Sequence, residues 1–446
     1  MAQNGTQSKR ARTALGGLEM DEARYVALLR NLIGVSERLQ NNPAQDLYPR
    51  EDLASDFVLE QLKPYTKDAG GPLEVERLSF QEGRGNVIIT YPGATAESVA
   101  FVGSHLDVVP ANPENWERDP FSLSVEGDKL YGRGTTDCLG HVALVTELMI
   151  QLAIARPALR RTVTAVLICN EENGVVEGIS VERLMETGRL DAIKSGPVYW
   201  IDVAESQPCI GTAGSLTWHL KAVGKAFHSG LPHKGINALE LVNAAVSELQ
   251  TRFYKAVPAH AQEKTYSFAT PSTLKPTQCK VAPGSLNQVP AWAEIAGDIR
   301  LTPFYDVEET RALVEGMVAD INANLGALQT WGPASRYQVQ GVDGEALAGK
   351  LELRWGEGAM EGIACKLDTE GHRALVAATA TVQGEAKPYS ICGSLPLVRN
   401  LQRNGLDVQM TGFGLVAVYH ADNEYCLLSH MKKGLQVLLN CIINLE

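Results

Sequence analysis

The sequence predicts an α/β fold in which a mixed, mostly parallel sheet is flanked by helices and interrupted by a smaller inserted domain. Three observations lead to this prediction. The chain has 446 residues, which is more than one hydrophobic core usually accommodates. Short apolar strands alternate with long helical segments up to about residue 211, as in parallel sheets. Between residues 212 and 366 the pattern changes to half-exposed strands and two amphipathic helices.

The first part of the chain begins with helical periodicity over residues 21–40, and residues 137–155 form a second, more apolar helical segment. Four apolar stretches are predicted to be strands: "NVIITYPG", "SVAFVGSHLDVVP", "RTVTAVLICNEENG" and "GPVYWIDVAESQP". Three of them end in a His or an acid. Because open α/β sheets bind ligands at the carboxyl ends of their strands, we expect the functional site there.

The middle of the chain contains six elements in the order strand, helix, strand, strand, helix, strand. Their sequences are "GSLTWHLKAVGKAF", "GINALELVNAAVSELQTRFYK", "TLKPTQCKVAPG", "PAWAEIAGDIRLTP", "DVEETRALVEGMVADINANLG" and "GKLELRWGEG". This βαββαβ order is that of a ferredoxin-like domain. We therefore assign residues 1–20 to a disordered N-terminal tail, 21–211 and 367–446 to the larger domain, and 212–366 to the inserted domain.

The composition argues against several classes of function. The net charge is −12, so no basic surplus is available for a nucleic acid partner. No apolar run reaches the roughly 18 residues that a membrane span needs. The eight Cys form no C-x-x-C pair and lie singly in apolar segments, which indicates buried thiols in a reducing, cytoplasmic location. For the basic N-terminus, an organelle-targeting segment is the alternative to a disordered tail.

Two titratable residues occur at the end of the apolar stretch "AFVGSHLDVVP". Residues two apart on a strand face the same side, so we expect His105 and Asp107 to lie side by side. A His whose second ring nitrogen is held by a carboxylate is suited to bind a metal ion. Taken alone, a His near a strand end is more often an ordinary structural residue of the core or surface than a metal ligand.

Four further stretches place a His or an acid at the end of an apolar segment or at the start of a helix. These residues are Asp137 in "LYGRGTTDC", Glu171 and Glu172 in "ICNEENG", Asp202 in "YWIDVAE" and His420 in "LVAVYHADNE". Each has a structural alternative, namely a helix N-cap, a solvated loop, a turn or a structural His. The glycine-rich "GRGTTD" lacks the following Lys of a phosphate-binding loop, which argues against a nucleotide site.

Together these residues supply a complete ligand set for two divalent ions. Two His and three carboxylates give each ion one imidazole and one terminal carboxylate, and one carboxylate remains to bridge the ions. Imidazole with carboxylate suits zinc, with cobalt or manganese possible. Two such ions polarise a carbonyl group and generate hydroxide. The remaining acid, Glu171, would then serve as the general base.

The motifs "SHLDVVP", "GRGTTD", the paired "EE" and the late His resemble those of the M20 metallopeptidase and deacylase family. "GKAFHSGLPHKGINALE" and "GDIRLTP" resemble motifs of that family's inserted domain. The resemblance extends from about residue 20 to the end of the chain, and within the family it is strongest to plant-type acetylornithine deacetylases. It implies a Zn-exopeptidase-like catalytic domain, a lid that also forms a homodimer, and a small N-acylated amino acid as substrate.

The resemblance also implies roles for the candidate metal ligands. His105 and Asp202 resemble the ligands of the first ion, Glu172 and His420 resemble those of the second, and Asp137 resembles the bridging carboxylate. Some family members have Glu where this chain has Asp202. Both residues supply a hard oxygen ligand, so we expect the site to be preserved.

Further roles follow from the same resemblance. Asp107 resembles the residue that orients the first His, and Glu171 resembles the general base. In the lid, His228 resembles a His that reaches the site of the partner subunit and stabilises the oxyanion, while Arg300 resembles the residue that binds the substrate's α-carboxylate. Three more residues resemble substrate-contact regions less closely: Asn237, Gly393 and Ser394.

The residues after the bridging carboxylate depart from the family pattern. Family members commonly have Lys-Gly-Gly there, whereas residues 138–141 of this chain are Cys-Leu-Gly-His. We expect His141 to pack within the first turn of the following helix rather than to contact the site.

The sequence therefore predicts a cytoplasmic, homodimeric amide hydrolase with two divalent ions per subunit. By resemblance, it would remove the acetyl group from N2-acetyl-L-ornithine by hydroxide attack, in the biosynthesis of arginine. Three alternatives remain open. They are another activity of the same family (aminoacylase, succinyl-diamino-acid desuccinylase or dipeptidase), a catalytically inactive dimeric metal-binding scaffold, and a nucleotide-binding enzyme built on the glycine-rich loop.

Overall fold

The computed structural model describes residues 13–446, which divide into two compact units. The first unit contains the chain up to Ile210 together with Cys365–Tyr389 and Pro396–Glu446. The second unit contains Gly211–Ala364 and Ser390–Leu395. Its last segment falls within the range 367–446 that the sequence assigned to the larger domain.

The strands account for most of the architecture of both units. In chain order they are β1 (Glu74–Gln81), β2 (Arg84–Tyr91), β3 (Ser98–His105), β4 (Ser124–Glu126), β5 (Lys129–Tyr131), β6 (Thr162–Ile168), β7 (Pro197–Ile201), β8 (Cys209–Thr212), β9 (Gly214–Val223), β10 (Phe227–His228), β11 (Thr273–Val281), β12 (Gln288–Val289), β13 (Trp292–Leu301), β14 (Gln338–Gln340), β15 (Ala346–Ala348), β16 (Lys350–Trp355), β17 (Ile363–Ala364), β18 (Tyr389–Ile391), β19 (Asp407–Thr411) and β20 (Tyr425–Leu427).

The large sheet of the first unit has the order β1-β2-β6-β3-β7-β19-β8. Its four central strands, β6, β3, β7 and β19, run parallel to one another. The pairings of β1 with β2, β2 with β6, and β8 with β19 are antiparallel. The sheet is therefore mixed, with its parallel part at the centre, where almost every residue of the strands is buried.

Ten α-helices lie in the described part of the chain beyond residue 20. They are α1 (Glu22–Gly34), α2 (Asp52–Leu62), α3 (Leu139–Ala155), α4 (Val181–Glu186), α5 (Ala238–Ala256), α6 (Ala261–Thr265), α7 (Val307–Ala323), α8 (Glu370–Gln383), α9 (Val398–Arg403) and α10 (Leu428–Leu445). Fourteen of the seventeen residues of α3 are buried, so this helix lies inside the first unit. Residues of α1, α2, α3, α8 and α10 join those of the central strands in one hydrophobic core.

The second unit has the predicted βαββαβ order, formed by β9, α5, β11, β13, α7 and β16. Its antiparallel sheet has the spatial order β11-β13-β9-β16, which is the strand order of a ferredoxin-like fold. Strand β9 alternates buried and more exposed residues, and its buried positions pack with α5 and α7 in a second core. This alternation is the pattern that distinguished the segment in the sequence.

The predicted N-terminal tail of residues 1–20 is only partly covered. Residues 1–12 lie outside the described part of the chain, whereas Leu15 and Met20 are buried in the core of the first unit. No helix between residues 13 and 446 is long and apolar enough to cross a membrane.

Candidate metal centre

Three neighbouring parallel strands of the first unit end beside the candidate site. β3 ends at His105, the segment after β6 carries Glu171 and Glu172, and the residue after β7 is Asp202. Asp137 lies just before α3. Parallel neighbouring strands present their carboxyl ends at one edge of the sheet, which explains why residues far apart in sequence meet here.

Asp137 lies between two imidazoles. Its Oδ1 is 3.0 Å from Nε2 of His105, and its Oδ2 is 3.0 Å from Nε2 of His420. Two ligand atoms that each lie about 2.1 Å from one tetrahedral zinc ion are separated by about 3.4 Å. The observed spacing is close to that value on both sides. Asp137 therefore has the geometry of a carboxylate that bridges two ions.

The two remaining carboxylates each approach one of these imidazoles. Oδ1 of Asp202 is 3.4 Å from Nε2 of His105, and Oε2 of Glu172 is 3.3 Å from Nε2 of His420. Oδ1 of Asp202 and Oε1 of Glu172 are buried and accept no hydrogen bond from any group in residues 13–446. Buried carboxylate oxygens are normally paired, so these two atoms fit a site that holds cations.

The electrostatics of the cluster favour positive charge. Hydrogen bonds to Asp137 and then to Glu172 raise the pKa of His420 to about 11. Burial alone would raise the pKa of Asp137, but hydrogen bonds from His105 and His420 hold it well below its usual value. The carboxylates that attract a proton to His420 would equally stabilise a divalent cation beside a neutral imidazole.

Glu171 lies next to the ligand cluster without belonging to it. Its Oε2 is 3.8 Å from Nε2 of His105, which is beyond hydrogen-bonding distance. Burial raises its pKa well above the usual range, and the charges of Asp202 and Glu172 act in the same direction. A buried carboxylate with a raised pKa, held close to the ligands, is suited to accept and return a proton.

Asp107 holds the two glutamates as well as the imidazole. Nδ1 of His105 donates to the main-chain carbonyl of Asp107 at 2.9 Å, and the carboxylate lies 3.4 Å away. This bond leaves Nε2 of His105 free to bind a metal ion. The carboxylate instead accepts the backbone N–H groups of Glu171 and Glu172, each at 3.0 Å. His105 and Asp107 lie side by side as predicted, but the closer contact of the imidazole is with the main-chain carbonyl rather than the carboxylate, and the two bonds to the glutamates were not predicted.

Glu424 is a residue of the site that the sequence argument missed. Its buried carboxylate accepts a hydrogen bond from Arg133 at 2.7 Å. It also accepts the backbone N–H groups of three residues of the "GRGTTD" loop, Gly134, Thr136 and Asp137. Glu424 follows His420 by four residues, so one side chain connects the loops of two candidate ligands. Its one sequence signal, an acid close behind the late His, resembles that of a solvated loop.

His141 packs inside the first unit. Its Nε2 accepts the backbone N–H of Phe413 at 2.8 Å, so its proton lies on Nδ1, which faces Sγ of Cys138 at 3.6 Å. The ring also lies beside the Phe413 ring, with the centroids 6.1 Å apart. These contacts are those of a buried packing residue, as we expected from its place in the helix.

The remaining candidate residues lie in the second unit. His228 ends β10 and is exposed, and its Nδ1 accepts the backbone N–H of Gly230 at 3.0 Å. The ring proton of a neutral His228 therefore lies on Nε2, which makes that atom a hydrogen-bond donor. Arg300, on β13, donates through Nε to Oδ2 of Asp298 at 2.5 Å. This ion pair is the structural alternative to a substrate contact.

Asn237 has a clear structural role. It is the N-cap of α5, and its side-chain oxygen accepts the backbone N–H groups of Leu239 and Glu240. Gly393 and Ser394 belong to the short segment Ser390–Leu395, and the Gly393 carbonyl accepts the backbone N–H of Ala213 at 2.9 Å.

Comparisons with known proteins identify the relatives of this chain. The sequence profile of peptidase family M20/M25/M40 matches residues 101–444. The chain is 52% identical to acetylornithine deacetylase of Arabidopsis thaliana, over 99% of both chains. It is 50% identical to acetylornithine deacetylase of Dictyostelium discoideum, over 96% of this chain and 98% of the other.

The fold is shared with solved structures of much lower sequence identity. The dipeptidase Dug1p of Saccharomyces cerevisiae aligns with a TM-score of 0.67 at 15% identity, over 98% of both chains. That likeness supports the mixed α/β fold, and the profile match covers most of the chain, including every candidate metal ligand. The chain therefore belongs to peptidase family M20/M25/M40.

Proposed function

We propose that this protein is a metal-dependent amide hydrolase that removes the acetyl group from N2-acetyl-L-ornithine to give L-ornithine and acetate. The observation that supports this function most directly is the position of Asp137, with one carboxylate oxygen on each of two imidazoles. The choice of substrate rests on the two acetylornithine deacetylases that are at least half identical to this chain over nearly its full length.

The ligand set proposed for two divalent ions per chain lies entirely in the first unit. His105 and Asp202 would hold one ion, Glu172 and His420 the other, and Asp137 both. When bound, such a pair of ions polarises the amide carbonyl and makes a water molecule more acidic. Zinc is the proposed metal and cobalt an alternative, because both accept imidazole and carboxylate ligands.

Glu171 is proposed to move the proton. Its carboxylate would take a proton from the attacking water and deliver it to the leaving amine. Its position supports this role, because its Oε2 lies 3.8 Å from Nε2 of His105. Glu171 is also not one of the proposed metal ligands, so its carboxylate is available for proton transfer. Asp107 holds the backbone on which Glu171 is carried.

Residues of the second unit are proposed to bind the substrate. His228, acting from the partner subunit of a homodimer, would donate from Nε2 to the oxyanion. The bond from Gly230 supports this proposal because it leaves Nε2 as the donor. Arg300 would bind the α-carboxylate of the substrate. Asn237, Gly393 and Ser394 are proposed as further substrate contacts. The lid role of this unit, the cytoplasmic location and the part in arginine biosynthesis stay predictions.

A panel of acyl donors tests the substrate assignment. We expect the metal-loaded protein to release free amine from N2-acetyl-L-ornithine faster than from N-acetyl-methionine, N-succinyl-diaminopimelate or a dipeptide. A preference for another member of the panel would keep the hydrolase and replace the substrate. No turnover of any of them by protein that binds two ions per chain would favour an inactive scaffold.

A further inference from the structure

A buried polar network lies behind the two glutamates that follow β6. It consists of Asn41, Glu51, Arg84 and Asn170, whose exposed fractions are 3%, 0%, 2% and 3%. All four belong to the first unit, and none of them is a candidate metal ligand. They come from separate elements: α2 begins just after Glu51, β2 begins with Arg84, and Asn170 follows β6.

The centre of this network is a fully buried ion pair. Nε of Arg84 donates to Oε2 of Glu51 at 2.5 Å, and Nη2 donates to Oε1 at 2.8 Å. A buried ion pair seldom stabilises a fold more than apolar residues of the same size would, because both charges lose their hydration. Its presence here is better explained by the groups that it holds in place.

The group that it holds is Asn170, the residue directly before Glu171. The side-chain Oδ1 of Asn170 accepts Nη2 of Arg84 at 2.9 Å, and its backbone N–H donates to Oε1 of Glu51 at 3.2 Å. Arginine can only donate, so the atom that faces it must be the amide oxygen. The amide nitrogen of Asn170 donates to the carbonyl of Val176 at 2.6 Å. Both the side chain and the backbone of Asn170 are therefore fixed.

The backbone of Asn170 has a conformation that suits an asparagine and that the network holds in place. Its φ is +57°, in the left-handed region, where asparagine is the commonest residue after glycine. A left-handed residue changes the direction of the chain as it leaves β6. Beyond it, the side chain of Glu171 approaches His105 and that of Glu172 approaches His420.

Asn41 connects this network to Asp107. Its Nδ2 donates both to Oδ2 of Asp107 at 2.8 Å and to Oδ1 of Asn170 at 3.2 Å. The segment that carries the two glutamates is thus held on one side by Asp107, which accepts their backbone N–H groups, and on the other by Asn170. Asn41 joins these two supports.

We infer that Asn170, held by the Arg84–Glu51 pair and by Asn41, is a positioning residue that directs the carboxylate of Glu171. The inference rests on the proposed function, in which Glu171 transfers the proton. Asn170 itself contacts no reacting atom. Groups that orient metal ligands and catalytic residues commonly contribute about 10- to 100-fold to activity, because a displacement of about 1 Å at the reacting groups is enough to slow the reaction about 100-fold.

The test replaces the buried charges without leaving one of them unpaired. In the double variant Arg84→Gln with Glu51→Gln, both partners become neutral amides; Gln has the size of Glu51 and is shorter than Arg84. We expect kcat for the best N-acyl amino acid substrate to fall about 10- to 100-fold, with KM within about twofold of wild type and two ions still bound per chain. A fall in kcat alone is the signature of a misdirected catalytic group.

A matched control comes from a second ion pair of the same unit. Arg24 donates to both carboxylate oxygens of Glu147, at 2.7 Å each, and the Glu147 side chain is 1% exposed. Glu147 lies on α3, about 12 Å along the helix axis from Leu139, the first residue of the helix. The double variant Arg24→Gln with Glu147→Gln should lower the melting temperature and leave kcat within about twofold of wild type.

A second variant addresses the chance that the double variant fails to fold. Asn170→Gly accepts the left-handed φ and removes the side-chain amide that Arg84 and Asn41 hold, together with its bond to the Val176 carbonyl. We expect it to stay folded and metal-loaded and to lose kcat in the same way. If Asn170→Gly keeps wild-type kcat, the inference is wrong. It is also wrong if Asn170→Gly and the control double variant lose the same melting temperature and the same kcat.

The outcome can be separated from a failure of the proposed function. Wild-type protein without turnover, or an active and metal-loaded Glu171→Gln variant, would reject the function on which the inference rests. If the wild type is active and Glu171→Gln is inactive, the proposed function stands. Network variants with normal kcat would then reject only the inference about Asn170.

Discussion

Glu424 accepts the backbone N–H of Asp137 at 3.0 Å. Glu424 lies four residues after His420, so this bond connects the segments that carry two candidate ligands, His420 and Asp137. The same carboxylate oxygen accepts Thr136 N–H, and the second oxygen accepts Gly134 N–H and the guanidinium of Arg133. Glu424 thus fixes the loop that carries Asp137, the proposed bridging carboxylate.

Replacement of Glu424 by Gln should weaken metal binding and stability together. The amide N–H of Gln would face the groups that donate to Glu424, namely backbone N–H groups and the guanidinium of Arg133. The guanidinium would also stay buried without its counter-charge. We expect a loss of about 3 kcal/mol in the free energy of unfolding and about 10- to 100-fold weaker zinc binding. Urea unfolding and competition with a zinc chelator measure the two effects. Normal zinc affinity in the folded variant would show that Glu424 has no influence on Asp137.

Replacement of Glu171 by Gln should separate catalysis from metal binding. The amide preserves the size of the side chain but cannot accept a proton, so we expect kcat to fall about 10²- to 10⁴-fold with two ions still bound. Glu172→Gln is the matched control, since it alters the neighbouring residue and should remove the ion that His420 shares. Metal analysis and steady-state kinetics distinguish the two variants. An active Glu171→Gln protein with its full metal content would contradict the general-base assignment.

The proposed bridging role of Asp137 predicts a difference in metal stoichiometry. Asp137→Asn alters a ligand of both proposed ions, whereas Asp202→Asn alters a ligand of only one. We expect the first variant to lose tight binding of both ions and the second to keep one per chain. Metal analysis after dialysis at fixed free zinc measures the ratio. Equal stoichiometry in the two variants would argue against a bridge.

The proposed action of His228 on the partner subunit can be tested by mixing inactive proteins. A heterodimer of one His228→Ala subunit and one Glu171→Gln subunit contains one site with both residues intact. We expect such heterodimers to recover about half of the wild-type turnover per dimer. Differently tagged subunits allow the heterodimer to be purified and assayed. If verified heterodimers stay inactive, His228 does not act across the dimer.

His141 should make the stability of the metal-free protein depend on pH. Burial lowers the pKa of His141 to about 4, below the value of about 6.5 in the unfolded chain. The stabilisation from the neutral ring is complete above pH 6.5 and is lost as the pH falls toward 4, because the unfolded chain binds the proton more readily. The free energy of unfolding of His141→Gln should therefore fall less over this range, by about 3 kcal/mol. Parallel curves for the two proteins would contradict this explanation.

The convergence of the candidate metal ligands could be predicted from the sequence because it depends on a general property of parallel sheets. His105, Glu172 and Asp202 each follow an apolar strand, and such strands end at the same edge. Asp137 and His420 could be added because one lies at the start of a helix and the other at the end of an apolar segment, and their motifs also resemble those of the family. The alternation of buried and exposed residues in β9 likewise predicted the separate sheet of the second unit.

The supports of the site could not be predicted in the same way. Asn41, Glu51 and Arg84 lie far from the glutamates in sequence and form no motif with them. Glu51 precedes a helix, where an acid is usually exposed, yet tertiary packing buries it completely beside Arg84. Which polar residues become buried together depends on the contacts between elements, and one sequence does not contain that information.

The most direct test of the proposed function is the dependence of turnover on bound metal. Protein stripped by a chelator and dialysed should not release ornithine from N2-acetyl-L-ornithine, and addition of zinc or cobalt should restore turnover as two ions bind per chain. Turnover that survives complete removal of metal, or none by protein that has bound two ions, would contradict the account.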